Sequence, residues 1–189
     1  MVAVSPDVAD PAAWSIEELL AAKARLGVRI CVVIPARDEE DTVATVVRTV
    51  IRAWMEQTSL VDEVIVIDSD SIDDTAARAR DAGAIVHAAA DIRPDLGRAV
   101  GKGEALWKSL FVATGDLLVF LDSDLVQWGP HFVPGLLGPL LLRPEIELVK
   151  AVYHRPHLDA SGAEIEAGGR VTELVARPLL ALHVPELTG

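Results

Sequence analysis

The sequence predicts an α/β fold of the GT-A, Rossmann-like kind: a mostly parallel sheet flanked by helices. Two observations carry this. Short, continuously apolar runs at 30–34, 64–67, 84–86 and 117–121 alternate with segments of helical periodicity. These runs lack the in–out alternation of a half-exposed strand, so they read as strands buried on both faces. A β-α-β-α order of such strands gives a parallel sheet with helices packed on it.

Each element has its own signal. Residues 1–14, with Pro6 and Pro11 and no periodicity, read as a loose arm ahead of a domain spanning 15–189. Ser15 and Glu18 have capping-box spacing, and Leu19, Leu20 and Leu26 follow on one face, predicting a helix over 16–26 ended by Gly27. Ile30-Cys31-Val32-Val33-Ile34 is a strand that Pro35 is expected to stop. Asp41-Thr42 opens a helix with Val43, Val46, Val47, Val50, Ile51 and Trp54 at helical spacing. Val64-Ile65-Val66-Ile67 is the second strand, and Asp73 or Asp74 caps a helix over 75–82 ended by Gly83. Ala84-Ile85-Val86 is the third strand. A polar, glycine-containing segment over 91–103 precedes a helix at 104–113, with Leu106, Trp107 and Leu110 as its apolar positions. Leu117-Leu118-Val119-Phe120-Leu121 is the fourth strand. Residues 130–142 read as a helix made irregular by Pro134, Gly135, Gly138 and Pro139. A fifth strand at 146–153 and a last helix at 171–182 complete the pattern, with 154–189 the start of a second functional region.

Composition narrows the function. Of 189 residues, 51% are hydrophobic and 24% charged, the balance of a globular protein. The apolar stretches are too short to span a bilayer, and the first thirty residues lack the layout of a signal peptide, so the cytoplasm is the expected address. Cys31 sits inside a strand pattern and is expected to pack; a single cysteine forms no internal disulfide. The net charge of −12 argues against a nucleic-acid partner, whose phosphates demand basic neutralisation. A small phosphorylated ligand stays compatible if bases or a metal are concentrated locally.

Ligands of such sheets bind beyond the carboxyl ends of the strands. Pro35–Glu40, Asp68–Asp70 and Asp122–Asp124 all follow strands directly and are expected along one edge. Asp122-Ser123-Asp124 places two hard carboxylates one residue apart, a pattern suited to Mg²⁺ or Mn²⁺ together with substrate phosphates. The plainer alternative is a solvated turn, and for Asp68 and Asp70 capping and turn duty is the reading of choice. A dinucleotide fingerprint is absent after the first strand. Gly97–Gly103 is one residue short of a P-loop and lacks its hydroxyl. Gly101-Lys102-Gly103 still places a cation on backbone that approaches a ligand closely, against the alternative of a solvated loop lysine.

Taken in order and spacing, Val33-Ile34-Pro35-Ala36-Arg37-Asp38-Glu39-Glu40, Ile67-Asp68-Ser69-Asp70-Ser71, Gly101-Lys102-Gly103 and Leu121-Asp122-Ser123-Asp124 resemble the GT-A glycosyltransferases. Within these, the segment from Gly168-Gly169-Arg170-Val171-Thr172-Glu173 to Leu180 is similar to the acceptor-site signature of the glucosyl-3-phosphoglycerate synthases, with the mannosyl enzymes as a sister group. The resemblance spans roughly residues 15–189. It implies retaining transfer of glucose from a nucleoside diphosphate glucose, UDP-glucose foremost, to the 2-hydroxyl of D-3-phosphoglycerate. It implies that Pro35, Ala36, Arg37, Asp38 and Glu39 line the nucleotide pocket, that Ser69 meets the uridine side, and that Lys102 meets ribose or phosphates. Asp122 and Ser123 belong to the donor site, and Asp124 is the direct ligand of Mg²⁺ or Mn²⁺. Gly169, Arg170, Val171 and Thr172 hold the acceptor's phosphate and carboxylate. The last set has independent chemical sense, because glycine amides before a helix and a permanently charged fork both suit phosphate. A plain turn serine at 69 and a surface arginine at 170 remain open alternatives.

Members of the resembled group extend beyond the equivalent of Gly189, so the GT-A fold is expected to be incomplete at the C-terminus. The implied remainder supplies a further metal-ligating histidine, more acceptor contacts and much of a homodimer interface. None of the five histidines is assigned that role: His154 and His157 follow the fifth strand nearest the edge, and His87, His131 and His183 read as structural or surface residues. Without the remainder, Val171, Leu174, Val175, Leu179 and Leu180 would leave an apolar stripe exposed. Two other readings compete: a donor-binding fragment impaired in turnover, and a sugar-nucleotide pyrophosphorylase. The second is opposed by the three acids that follow Arg37, where a glycine-rich basic loop would be needed.

Overall fold

The computed structural model describes residues 14–98, 101–125, 128–151, 156–158 and 164–166. Residues 9–149 form one compact unit; the antiparallel hairpin of β5 (Pro156–Leu158) and β6 (Glu164–Glu166) belongs to the other. The predicted arm, the end of the predicted fifth strand at 152–153, the helix at 171–182 with its apolar stripe, and His154 and His183 lie outside the described residues.

In the larger unit, β1 (Ile30–Ala36), β2 (Glu63–Asp68), β3 (Ile85–Ala88) and β4 (Leu117–Phe120) form a sheet of order β3-β2-β1-β4. All three pairings are parallel, with Val33 opposite both Ile65 and Phe120. β1 is buried along its whole length, as expected of a central strand. Its even-numbered side chains Ile30, Val32 and Ile34 pack under α1 (Ile16–Leu26), α2 (Val43–Val50), α3 (Thr75–Asp81) and α5 (Phe132–Leu142). Cys31 and Val33 face the opposite layer, which includes Ala105 of α4 (Lys102–Ser109). The result is a helix–sheet–helix sandwich. Burial pushes the Cys31 thiol far up, in keeping with a packing role. Among the described residues no helix is long and apolar enough to cross a membrane.

α1 has the predicted capping box, with Ser15 and Glu18 each receiving the other's amide, and Gly27 closes it at φ +66°. α2 runs into a π-helical segment, Ile51–Glu56, which carries Trp54 to bond the Pro130 carbonyl at 2.9 Å. In α5, Gly138 lies under the indole of Trp14, whose N–H donates to the Pro134 carbonyl at 3.0 Å.

Four expectations need correction. β1 does not stop at Pro35 but runs through it. In a strand, the amide and carbonyl of one residue share a side, and Val33 O accepts the Leu121 amide, so Val33 and Pro35 both face β4. β4 ends at Phe120, so the missing Pro35 N–H falls where the ladder needs no donor. α4 starts two residues earlier than expected, putting Lys102 in a helix rather than a loop. Its packed face is Ala105, Lys108 and Ser109, while Trp107 and Leu110 are exposed. Small residues let the helix close on the sheet, and buried Lys108 is satisfied by the Ala89 carbonyl at 2.7 Å and Glu104 at 3.1 Å. Finally, residues 146–151 are not a strand.

Two outcomes follow for stability. Gly138→Ala drives a Cβ into the Trp14 ring and should cost about 2–3 kcal/mol in denaturant unfolding. Asp62 accepts the Ile30 amide at 2.7 Å and pairs with Lys23 at 2.8 Å. Burial works against its ionisation, but the Lys23 and Ile30 bonds outweigh it and hold the carboxyl below its usual range. Its contribution is complete above about pH 4 and fades as pH falls through the depressed folded value. Asp62→Ala should therefore lose about 1–3 kcal/mol at pH 7 and show a shallower acid loss than the unaltered chain.

Candidate functional site

The order β3-β2-β1-β4 reverses direction between β1 and β4, and the crevice above such a switch point is where open α/β sheets take ligands. A cleft of about 210 Å³ opens there. Its lining brings together Pro35, Ala36, Arg37 and Glu39 from β1 and its loop, Ser69 from beyond β2, Gly101 and Lys102 from the start of α4, and Asp122, Ser123 and Asp124 from beyond β4.

On the β4 side, the Ser123 hydroxyl is buried and donates to the Pro35 carbonyl at 2.9 Å. That bond fixes the turn, so Asp122 and Asp124 flank a buried anchor. Asp122, half-buried, pairs with the Lys102 ammonium. Asp124 is exposed and has no hydrogen bond or ion pair to another described residue. Gly101 caps α4 at φ +115°, a conformation open to glycine and few others, and so places Lys102 at the helix start.

On the other side, the Ser69 amide donates to the Ala36 carbonyl at 2.9 Å, carrying the β1–β2 ladder past the strands. Arg37 is exposed, 3.8 Å from Asp38. The Glu39 carboxylate accepts the Thr42 hydroxyl at 3.2 Å. Asp38 is not part of the lining. It stands at φ +54° and turns its carboxylate away to accept the Ile72 amide at 2.8 Å.

Asp68 and Asp70 depart from simple capping. Asp70 pairs with Arg98, reaching across to the segment before α4. Asp68 is buried at the end of β2, and its Oδ1 has no partner among the described residues. The helix-start duty falls to Asp73, which accepts the Thr75 amide at 2.9 Å, whereas Asp74 makes no side-chain cap. Gly169, Arg170, Val171 and Thr172 lie outside the described residues. Gly101 is the one lining residue not assigned a role from sequence; its signal was its place in Gly101-Lys102-Gly103.

The donor set fits a hard divalent cation held partly by substrate. Among the described residues no group of three or more histidine, cysteine or acidic side chains is arranged as a metal cage. Mg²⁺ and Mn²⁺ need none, since one or two carboxylates plus ligand phosphates suffice, and Asp122 and Asp124 provide them. Lys102 and Arg37 add positive charge to the same cleft.

Residues 31–165 match the model of Glycosyl transferase family 2. The chain is 52% identical to glucosyl-3-phosphoglycerate synthase of Mycolicibacterium smegmatis over 175 residues, which is 92% of this chain and 56% of that protein. It is 45% identical to the Petrotoga mobilis enzyme of the same name, covering 92% of this chain and 54% of that one. Among solved structures, mannosyl-3-phosphoglycerate synthase from Rubrobacter xylanophilus superimposes at a TM-score of 0.82 and 38% identity, covering 95% of this chain and 55% of the other. Glucosyl-3-phosphoglycerate synthase from Mycobacterium tuberculosis, in complex with Mn²⁺, UDP-glucose and phosphoglyceric acid, gives 0.75 and 48%, covering 93% and 56%. The chain thus spans little more than half the length of these relatives. With a parallel sheet, a switch-point cleft and an acid pair beyond β4 all present, the chain belongs to Glycosyl transferase family 2.

Proposed function

We propose that this chain carries the donor site of a retaining glycosyltransferase that moves glucose from UDP-glucose to the 2-hydroxyl of D-3-phosphoglycerate. The observation that carries it is the cleft: of the ten residues expected from sequence to hold donor and metal, all but Asp38 line it. The M. tuberculosis relative, bound to Mn²⁺, UDP-glucose and phosphoglyceric acid, supports the same ligands here.

In this reading the two sides of the cleft do different work. Lys102 and the N-terminal end of α4 receive the diphosphate, as helix N-termini do. A divalent cation, when bound through Asp124 beside Asp122, neutralises the charge that develops on the departing diphosphate. Glu39, with Pro35, Ala36 and Ser69, forms the side left for the nucleoside. In the reaction, the bond from the anomeric carbon to UDP breaks and a bond to the acceptor oxygen forms on the same face as the leaving group, with the hydroxyl proton passing to the departing diphosphate. Gly169, Arg170, Val171 and Thr172 are the proposed acceptor grip, with the Arg170 guanidinium suited to a phosphate or carboxylate. A second reading, donor binding without turnover, rests on the same cleft without the acceptor grip. A pyrophosphorylase reading has no support in the family match.

A product assay with 3-phosphoglycerate and a panel of sugar nucleotides, beside calorimetry with UDP and Mn²⁺, separates these. Product from UDP-glucose is expected; metal-dependent UDP binding without product leaves the donor-binding reading standing. Asp124→Ala should abolish metal-dependent UDP binding and lower any turnover by about 100-fold or more; unchanged activity removes the metal assignment. Lys102→Met should weaken UDP binding by about 10–100-fold, read by the same titration.

A further inference from the structure

The loops after β1 and β2 are joined by bonds that run in both directions. Three consecutive amides of the β1 loop are each received by a side-chain oxygen of the β2 loop: Asp38 by Ser71 at 3.0 Å, Glu39 by Thr75 at 2.7 Å, and Glu40 by Asp73 at 3.2 Å. In return, the carboxylates of Asp38 and Glu40 accept the amides of Ile72 and Asp74 at 2.8 and 3.2 Å. The left-handed backbone at Asp38 turns the chain into this run. Thr75 differs from the other receivers in being fully buried. Its hydroxyl accepts from Glu39 and donates its own O–H to Asp73 Oδ1, so one atom closes the path from one loop to the other. That hydroxyl bond holds the Asp73 carboxyl below its usual range, as an acceptor that stays ionised.

We propose that Thr75, which does not line the cleft, is the positioning residue that sets Glu39 and thereby the grip on the nucleoside end of the donor. The inference rests on the sugar-nucleotide reading of the cleft. The cation and diphosphate belong with Lys102, Asp122 and Asp124; Glu39 and Ser69 stand on the other side, on the loops that Thr75 joins. Water replaces a lost partner at an exposed receiver such as Asp38. At Thr75 it has no access, so Thr75→Val strands the Glu39 amide, while Asp73 Oδ1 keeps the backbone amide of residue 75. The trace of Glu39 then relaxes while the β4 side keeps its own anchor, the Ser123–Pro35 bond.

The test titrates UDP and inorganic pyrophosphate, each with Mn²⁺, into the unaltered chain, Thr75→Val and Thr75→Ser. UDP affinity should fall about tenfold in Thr75→Val, pyrophosphate affinity should stay within about twofold, and Thr75→Ser, which keeps the hydroxyl, should restore UDP to within about twofold. Equal losses for both ligands, or no loss for UDP, overturn the proposal. Should Thr75→Val lack a cooperative melt, Thr75→Ala takes its place, removing the same hydroxyl without setting a methyl against the Glu39 amide: a loss of about tenfold for UDP alone supports the proposal, and an equal or absent loss overturns it. If the unaltered chain binds no UDP with Mn²⁺, the reading of the cleft falls and this inference with it; UDP binding that is indifferent to position 75 overturns the inference alone.

Discussion

The site depends on how β1 leaves the sheet. Its last two carbonyls point to opposite sides, and each receives the segment that follows a neighbouring strand: Pro35 takes the Ser123 hydroxyl and Ala36 takes the Ser69 amide. Alternation of carbonyls along a strand is a property of the backbone itself. A central parallel strand therefore holds both neighbouring loops at one height with no side chain of its own. Proline is compatible with the first of these positions because it keeps its carbonyl, and its missing amide faces a ladder that has already ended. The cleft forms between what these two bonds hold.

An acidic chain with an acidic edge looks ill-suited to an anionic ligand, and the structure shows how that conflict is managed. Asp38, Glu40 and Asp73 use their charge on backbone amides. Asp70 and Asp122 are matched by Arg98 and Lys102. Most of the nominal negative charge near the cleft is thus already engaged, and Asp124 keeps both oxygens free of described partners. The net charge of −12 speaks to partners in bulk; the local arrangement decides what the cleft accepts.

What was legible in the sequence was whatever follows from periodicity. The four strands of the sheet, α1 with its cap, and the shared edge of the three post-strand segments are all properties of neighbours along the chain. The residues that failed to show depend on distant partners. The packed face of α4 was misread because Lys108 counts as polar until Ala89 and Glu104 are in place around it. The start of α4 was hidden by Gly101 and Gly103, which lower helix propensity where a cap is being formed. Thr75 carries no signal of its own, because its bond to Glu39 spans 36 positions and leaves no pattern in sequence. The 146–151 segment had strand-forming residues, yet propensity alone does not make a ladder without a neighbour to receive its amides.

These differences divide the cleft physically. On the β1–β2 side, backbone amides are tied to side-chain oxygens by bonds of 2.7–3.2 Å, so the trace that carries Arg37 and Glu39 is settled before any ligand arrives. The β4–α4 side is made of exposed, charged side chains on a turn and a helix start, where long-range charge acts and geometry is looser. Shape discrimination requires the first kind of surface, because a rigid polar site left unpaired by the wrong ligand costs more than a flexible one. Charge attraction requires only the second. The nucleotide sugar proposed as donor has one part of each kind, a planar base and a doubly charged diphosphate, which is why the proposal assigns them to opposite sides of the cleft.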